Sequence, residues 1–319
     1  MGSSAWKSYL CTDAGTEYCP CYLGDMGRCI NCAQLAGLEL CDCEWSGTCV
    51  YCHYKTKNHE LVHLRKEMEV AIKKSEQLTP DVRIVVVELD RPLVFELSQY
   101  GAYAFLRKKD APAFFNVPTS VMDVEASRNQ ISFAFQRIGT KTESLMGARG
   151  SVILTAPFWN GILGVRYLRR AVGWNVLIVA KGIAQAAAVI MTKRLLKSGN
   201  KVIYAVGAGD IGLTFTADIV ASMGATVLKM PREKDHNGEA LLDLLNRHPF
   251  DLVVSLGSDA QHEQLHQLTK QAVRRPRLCV SNNAVLCCGE GVCGSCTVTI
   301  NGMTIRRCKA SLDPKAANT

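Results

Sequence analysis

The residues best suited to chemistry are four cysteines near the end of the chain. Cys288, Cys293, Cys296 and Cys308 follow the spacing C-x4-C-x2-C-x11-C. This spacing suits a loop wrapped around a [2Fe–2S] cluster, with three thiolates in one tight turn and the fourth on a returning strand. Zinc sites more often use two C-x2-4-C halves that lie far apart in the sequence. The spacing therefore predicts an iron–sulfur centre and a role in electron transfer.

Three glycines lie between these cysteines. Gly289, Gly291 and Gly294 are expected to take positive φ angles, which bring backbone N–H groups close to the cluster sulfides. Cys287 lies directly beside the first ligand and is not expected to bind the cluster.

A second group of cysteines occupies residues 1–57, where the motif C-x-C…C-x2-C occurs twice. The two copies supply enough thiolates for two four-cysteine sites: Cys19, Cys21, Cys29 and Cys32 in the first, Cys41, Cys43, Cys49 and Cys52 in the second. The segment has too few aliphatic residues to fold by apolar burial alone, so metal binding is expected to supply its folding free energy. Zinc and additional iron–sulfur clusters both remain open for these sites. Cys11 is expected to be a small buried thiol.

Composition limits the remaining functional classes. The 319 residues are 48% hydrophobic, which is enough for several domains with sizeable cores. Fifteen cysteines without a secretory signal favour metal or redox centres in a reducing compartment, so we expect a cytoplasmic protein without a membrane span. The net charge of +8 comes from short basic pairs without interleaved aromatic residues. This pattern favours an acidic redox partner over nucleic acid.

The middle of the chain contains a helical pattern followed by short strands. Leu61, Leu64, Met68, Ala71 and Ile72 have helical spacing, so residues 58–78 are interpreted as a helical linker. His59 and His63, one turn apart on that linker, are expected to be surface residues. Pro80 ends the helix, and residues 79–168 contain several short strand patterns, among them Val94–Leu97. This segment is predicted to be a β-barrel or sandwich.

Residues 169–280 alternate between strand and helix patterns, which predicts a Rossmann-like parallel sheet with crossover helices. The stretch Gly207-Ala-Gly209-Asp-Ile-Gly212 lies between a strand and a helix and therefore matches the dinucleotide fingerprint in its context. The next strand ends in Lys229-Met230, so the acidic residue that would bind a ribose is missing.

The order of barrel, nucleotide-type α/β domain and terminal cysteine loop resembles the ferredoxin–NADP reductase superfamily over about residues 80–319. Within it, the chain resembles the electron-transfer subunits of dihydroorotate dehydrogenase B and the small subunits of NADH-dependent ferredoxin:NADP oxidoreductases, or sulfide dehydrogenases. The resemblance implies FAD on the barrel and a nicotinamide nucleotide on the α/β domain.

The resemblance also implies which residues contact the cofactors. The FAD-binding positions would be Pro118, Thr119 and Ser120 on a strand, Gly139 and Thr142 at a turn, and Pro157, Trp159, Asn160 and Gly161 in a loop. Val117 stands where the family has an arginine for the flavin pyrophosphate, and Arg137 or Lys141 are candidates to replace that charge. Trp159 stands where the family has a glycine and is a candidate to stack on the flavin.

The nicotinamide nucleotide would lie against Lys181 and Gly182, in the turn after the first strand of the α/β domain. The family has a glycine-rich sequence here, whereas this chain has Ala184 and Gln185. These side chains are expected to crowd the pyrophosphate, which needs close approach to the backbone.

Together, these features predict a multi-domain α/β plus β-barrel protein. The predicted domains are a cysteine-rich metal-binding module at 1–57, a helical linker at 58–78, an FAD-binding barrel at 79–168, a nucleotide-binding-like domain at 169–280 and a [2Fe–2S] segment at 281–319. No acid–base or nucleophilic set is evident, so the expected function is an NAD(P)H-dependent electron-transfer subunit that works with a redox partner or catalytic subunit. The alternative is a non-enzymatic relay or docking subunit with a degenerate nucleotide site.

Overall fold

A computed structural model of the 319-residue chain describes residues 10–41, 47, 49–57, 65–231, 237–300 and 302–314. The chain divides into two compact units. The cysteine unit contains residues 1–66 and 284–319, and the barrel unit contains residues 67–283.

The elements are numbered in chain order. The strands are β1 (Leu10–Cys11), β2 (Glu67–Thr79), β3 (Val82–Glu88), β4 (Tyr103–Lys108), β5 (Val117–Glu125), β6 (Gln130–Gln136), β7 (Ser151–Phe158), β8 (Ile162–Leu163), β9 (Asn175–Lys181), β10 (Lys201–Gly207), β11 (Thr226–Lys229), β12 (Leu252–Leu256), β13 (Arg277–Ser281), β14 (Thr297–Ile300), β15 (Met303–Arg306) and β16 (Ala310–Ser311). The helices are α1 (Tyr22–Asp25), α2 (Val50–Thr56), α3 (Arg91–Leu97), α4 (Thr140–Met146), α5 (Val165–Arg170), α6 (Gln185–Lys197), α7 (Ala217–Ser222), α8 (Asn237–Arg247) and α9 (Asp259–Gln271).

Six antiparallel strands close into a barrel in the order β2-β3-β6-β5-β4-β7, which confirms the predicted β-domain. Its core is built from residues that alternate along each strand, because successive side chains of a strand point to opposite faces. Val85 and Val87 on β3, Ile131 and Phe133 on β6 and Leu154 on β7 are all at most 1% exposed. Because the barrel is closed, none of its six strands is an edge strand.

The prediction of a helical linker is wrong over residues 67–78, because β2 covers Glu67–Thr79 and is the longest strand of the barrel. Residues 58–64 of that prediction lie outside the described residues. Met68, Val70 and Ile72 have the period of two that suits a strand, and they pack towards the barrel core. Pairing with β3 and β7 favours the strand period of two over the helical period. A local sequence pattern does not show such distant partners.

The predicted strand at Val94–Leu97 is also wrong, because these residues belong to α3. Asp90 precedes the helix and Pro92 lies in its first turn, an arrangement that starts helices well. The sequence Asp90-Arg91-Pro92 is therefore a helix start signal.

The α/β part of the barrel unit has a six-stranded sheet in the order β11-β10-β9-β12-β13-β8. The first five strands of this order are mutually parallel and β8 is antiparallel at the edge. This confirms the Rossmann-like prediction. The strand order reverses at β9 and β12, so their carboxyl ends form the crevice where such sheets bind ligands.

The cysteine unit brings together the first and last segments of the chain, which the sequence interpretation treated as separate modules. Strand β1 pairs with β16, with Cys11 opposite Ala310, and β14 forms a hairpin with β15. Across the described ranges of both units, no helix has the length and apolar character needed to cross a membrane.

Candidate functional site

The predicted cluster cysteines meet around the thiol of Cys308, which is buried. This thiol hydrogen-bonds with those of Cys288 and Cys296. Hydrogen bonding with Cys308 lowers the pKa of Cys288 to about 4 and the pKa of Cys296 to about 6, while it raises the pKa of Cys308 itself. Cys293 hydrogen-bonds with Cys288 and lies 3.3 Å from the hydroxyl oxygen of Ser295. The fold therefore gathers four thiols, and two of them, Cys288 and Cys296, favour the thiolate form, which is the form that binds iron.

Backbone amides reinforce this preference. The N–H of Glu290 donates to the sulfur of Cys288 at 3.3 Å, and the N–H of Cys308 donates to the sulfur of Cys296 at 3.4 Å. Such hydrogen bonds stabilise negative charge on cysteine sulfurs and tune a bound cluster.

The three glycines of the loop have φ angles of +70° at Gly289, +79° at Gly291 and +79° at Gly294, as predicted. Gly291 has a second structural reason. A Cβ at this position would lie 2.9 Å from Cδ1 of Leu23 in the N-terminal segment, so only glycine permits this packing.

A buried ion network lies next to the cluster loop. Lys309 Nζ lies 2.5 Å from Asp13 Oδ2 and 2.6 Å from Glu290 Oε2. Arg65 Nη2 lies 2.7 Å from Asp13 Oδ1, and its Nη1 lies 3.0 Å from Glu290 Oε1. Burial alone raises the pKa of Asp13, but the charges of Lys309 and Arg65 outweigh it and hold that pKa below its usual value. Two cations and two carboxylates thus balance each other in a site removed from water.

The sequence interpretation missed this network. Its signals were weak: Glu290 is a carboxylate inside the cysteine loop, and Lys309 directly follows the last cluster cysteine. Asp13 and Arg65 carried no signal, because their roles depend on contacts across the whole length of the chain.

The N-terminal cysteines differ widely in exposure. Cys19 and Cys32 are buried, whereas the second copy of the motif is represented by Cys41, Cys49 and Cys52, all exposed. Cys43 lies outside the described residues, as do His59 and His63. Within the described ranges, no three cysteine, histidine, aspartate or glutamate side chains are placed to hold a single metal ion. A [2Fe–2S] cluster has a different requirement, since it divides four thiolates between two irons.

The first predicted FAD segment lies on β5. Pro118 and Ser120 are exposed, whereas Thr119 is buried and donates its hydroxyl to the carbonyl of Val117 at 3.1 Å. Val117 is part of the barrel core, so its replacement of the family's arginine serves packing. The exposed side chain of Ser120 offers a hydroxyl group to a ligand.

The second predicted FAD segment is the turn before α4. The hydroxyl of Thr142 accepts the backbone N–H groups of Ile138 at 2.9 Å and Gly139 at 3.1 Å, which fixes the turn. The space around Gly139 is open, and Lys141 is exposed beside it. Arg137 instead pairs with Asp81, with Nη2 and Oδ1 2.5 Å apart. Of the two candidate replacements for the missing arginine, Lys141 is the one without this ion pair.

The third predicted FAD segment is used largely for internal packing. The N–H of Gly161 donates to the carbonyl of Gly101 at 2.9 Å, and a Cβ on Gly161 would lie only 2.7 Å from that oxygen. The indole N–H of Trp159 donates to the carbonyl of Glu96 at 3.1 Å, and the carbonyl of Asn160 accepts from the Asn282 side chain at 2.7 Å. Pro157 is buried in β7.

The first and third segments border one cavity, which is also lined by Tyr100, Gly101, Ile190, Met191 and Arg194. Ser120 and Gly161 form part of its wall. The guanidinium of Arg194 lies 4.8 Å from the centre of the Tyr100 ring. The predicted FAD residues thus lie at an exposed strand segment, at the open turn of Gly139 and beside this cavity, whereas Trp159 is already engaged with α3.

The predicted nucleotide turn differs from expectation. Lys181 and Gly182 are half-buried at the end of β9, but the side chain of Gln185 is fully buried and points away from the turn. Its Nε2 donates to the carbonyls of Gly207 at 3.1 Å and Leu213 at 2.8 Å. Gln185 therefore ties α6 to the loop after β10, and these buried hydrogen bonds give its side chain a structural role; that it crowds a pyrophosphate stays a prediction.

The glycine fingerprint after β10 contributes to the same packing. Gly209 has a φ angle of +58°, and a Cβ there would lie 2.8 Å from both Cα and N of Gly182. The two loops at the carboxyl edge of the sheet thus touch through their glycines. This close approach accounts for Gly209 without a bound dinucleotide.

A closed six-stranded barrel followed by a parallel α/β sheet is the fold that this chain shares with solved ferredoxin reductase structures. No family model matches the chain. Among curated proteins, the electron-transfer subunit of dihydroorotate dehydrogenase B (NAD(+)) from Enterococcus faecalis is 23% identical over 247 residues, covering 75% of this chain and 91% of the relative. The corresponding subunit from Streptococcus thermophilus is 22% identical over 243 residues, covering 71% and 91%.

Solved structures agree with this likeness. The NADH-dependent reduced ferredoxin-NADP oxidoreductase, described in connection with flavin-based electron bifurcation, superposes with a TM-score of 0.60 at 19% identity, covering 75% of this chain and 85% of the other. An Amycolatopsis cytochrome P450 reductase superposes with a TM-score of 0.53 at 17% identity, covering 70% and 71%. The resemblance predicted from the motifs is confirmed, and the solved structures establish the fold.

Proposed function

We propose that this chain is an electron-transfer oxidoreductase subunit that carries FAD on its barrel and a [2Fe–2S] cluster on Cys288, Cys293, Cys296 and Cys308. The observation that carries the proposal is the gathering of these thiols around Cys308, with the pKa values of Cys288 and Cys296 lowered to about 4 and about 6. Thiolates at neutral pH, with backbone N–H groups on two of the sulfurs, form a ligand set ready for iron.

The flavin assignment is supported by the two matched relatives, which are electron-transfer subunits of a dehydrogenase, and by the fit of the barrel residues. FAD would accept two electrons as a hydride and release them singly to an iron–sulfur cluster. Ser120 and the backbone of β5 would hold its ring system, while the open turn at Gly139 and the charge of Lys141 would receive its pyrophosphate.

The hydride donor or acceptor in this proposal is NADH or NADPH, bound at the carboxyl edge of β9 and β12 beside Lys181 and Gly182. The electrons pass to a second protein, either a redox partner or a catalytic subunit. In support of a partner, Val292 is 50% exposed within the cluster loop and Val285 is 67% exposed just before it. Apolar side chains beside a redox centre suit contact with another protein.

One observation favours a second candidate, a relay or docking subunit without nucleotide turnover. The contact between Gly209 and Gly182 and the buried bonds of Gln185 bring the loop after β10 against the turn that would cradle a pyrophosphate. In this alternative the cluster exchanges electrons with protein partners on both sides.

A visible spectrum of the full chain, purified without oxygen, separates the candidates. Flavin and [2Fe–2S] bands that bleach with NADH or NADPH support the oxidoreductase. The same bands without bleaching, in the isolated chain and with its partner bound, support the relay. Absence of iron and flavin from protein prepared in cells supplied with iron and riboflavin contradicts both.

A further inference from the structure

A small cavity in the cysteine unit is lined by four thiols that the sequence repeat does not group together. Cys11, Cys19, Cys21 and Cys29 all border it. Cys11 belongs to β1, outside the repeated motif, and was expected to be only a small buried thiol. The remaining wall is mostly apolar and includes Leu35 and Val50, together with the polar side chains of Asp13 and Asn31. A mostly apolar cavity edged by four thiols has the composition of a cluster site.

Electrostatic interactions indicate the same grouping. Cys21 interacts with Cys11, with Cys19 and with Cys29. Cys19 is buried, and Cys11, Cys21 and Cys29 are half-buried.

Cys32, which the repeat pairs with Cys29, is not among the residues that line the cavity. It is 5% exposed, packs in the apolar cluster that also contains Cys19, and interacts electrostatically with both Cys29 and Cys52. Cys11 therefore borders the cavity where the repeat would have Cys32.

The arrangement favours iron–sulfur over zinc. Sulfurs around a tetrahedral zinc lie about 4 Å apart, because each Zn–S bond is about 2.3 Å long. In the described part of the chain, no three such ligands are placed to hold one ion. A cluster keeps its cysteines farther apart, since several irons and sulfides fill the space between them.

Lys309 connects this cavity with the C-terminal cluster cysteines. Its buried charge acts on Cys11 and Cys21 on one side and on Cys308 on the other. Strand pairing keeps Cys11 close to Lys309. Cys11 lies opposite Ala310 in the pair of β1 and β16, and the N–H of Thr12 donates to the carbonyl of Lys309 at 2.8 Å.

We propose that Cys11, Cys19, Cys21 and Cys29 bind a second iron–sulfur cluster, which exchanges single electrons with the C-terminal [2Fe–2S] cluster across Lys309. The proposal rests on the proposed function, because that function supplies the electrons. In each step the C-terminal cluster is oxidised by one electron and the second cluster is reduced by one, with no bond made or broken. The cysteine unit would thus carry electrons through two clusters, and its N-terminal segment would not be a purely structural metal site.

Four single variants of the full chain test the ligand set. The electron paramagnetic resonance signal that disappears in Cys21→Ser is assigned to the second cluster. We expect Cys11→Ser to lose the same signal and the same amount of iron, while the C-terminal [2Fe–2S] signal remains. Cys32→Ser should keep the signal that Cys21→Ser loses, even if it changes metal binding at the second copy of the motif. Cys279→Ser removes a buried thiol of the barrel unit, whose sulfur donates to the Gly164 carbonyl, and should leave both signals intact.

The opposite pattern, in which Cys32→Ser removes that signal and Cys11→Ser keeps it, would overturn the ligand set. Zinc in place of iron at the Cys21 site would overturn the cluster assignment. If Cys11→Ser does not fold, Cys11→His is informative, because a changed ligand shifts the g values whereas a changed packing residue leaves them in place. Loss of the C-terminal signal in Cys288→Ser tests the proposed function separately.

Discussion

Lys309 and Asp13 form a buried ion pair between the two ends of the chain, with Nζ and Oδ2 2.5 Å apart and side chains 1% and 3% exposed. The residues lie 296 positions apart in the sequence. Because each charge is removed from water, neither tolerates loss of its partner. The pair therefore makes the N-terminal cysteine segment and the C-terminal cluster segment depend on each other for folding.

The first prediction concerns this pair. Lys309→Met should destabilise the cysteine unit by about 3–5 kcal/mol, because it leaves two buried carboxylates with only Arg65 as their cation. Unfolding of the cysteine unit in urea, followed by the visible bands of its cluster, measures the effect. Arg247→Ala, which removes an exposed pair with Asp243, should change stability by at most about 0.5 kcal/mol. Equal effects from the two variants would contradict the role of the buried network.

The second prediction concerns metal removal. Chelation under reducing conditions should increase amide hydrogen exchange in both the N-terminal segment (residues 10–57) and the C-terminal segment (residues 284–314), because the two form one unit. Residues 67–283 should keep their protection. Exchange measured by mass spectrometry on the full chain shows the pattern directly. Loosening of the N-terminal segment alone would show that the two ends fold independently.

The third prediction concerns the register of the C-terminal ligands. Cys288→Ser should abolish or strongly perturb the [2Fe–2S] signal, since Cys288 hydrogen-bonds with Cys308 and Cys293. Cys287→Ser is the matched control at the neighbouring position, and its exposed thiol should be dispensable. Absorption and paramagnetic resonance spectra of both variants decide the matter. The reverse result would place the first ligand one residue earlier.

The fourth prediction concerns Gln185. Gln185→Ala should destabilise the barrel unit by about 2 kcal/mol, because it leaves the carbonyls of Gly207 and Leu213 without this donor. It should not speed flavin reduction by NADH. Gln267→Ala on the exposed face of α9 is the control and should stay within about 0.5 kcal/mol of the parent. Faster reduction with unchanged stability would instead show that the Gln185 side chain obstructs the nucleotide.

The fifth prediction concerns the contact between two loops. Gly209→Ala should cost more stability than Gly173→Ala, although both glycines have similar positive φ angles of +58° and +68°. The backbone conformation alone costs about 1–2 kcal/mol in either variant. Only Gly209 has backbone atoms of Gly182 at 2.8 Å, whereas Gly173 has open space. Equal melting temperatures for the two variants would contradict the close approach described above.

The sequence by itself was sufficient where a local pattern fixes the outcome. Cysteine spacing identified the four cysteines whose thiols meet at Cys308, because three of them lie in one short loop. The alternation of strand and helix identified the parallel sheet, since its buried strands and amphipathic helices have distinct periods. The spacing of short strand patterns in residues 79–168 indicated the β-domain that the closed barrel confirms.

Only the tertiary structure decided features that depend on distant partners. Residues 67–79 carry both a helical and a strand period, and pairing with β3 and β7 selected the strand. From the sequence, Gln185 was expected to obstruct the nucleotide, because its buried hydrogen-bond partners lie 22 and 28 residues away and leave no local signal. Cys11 and Lys309 join one site because β1 pairs with β16, a contact between the two ends of the chain. Local sequence carries no record of such contacts, since they form only when the chain folds.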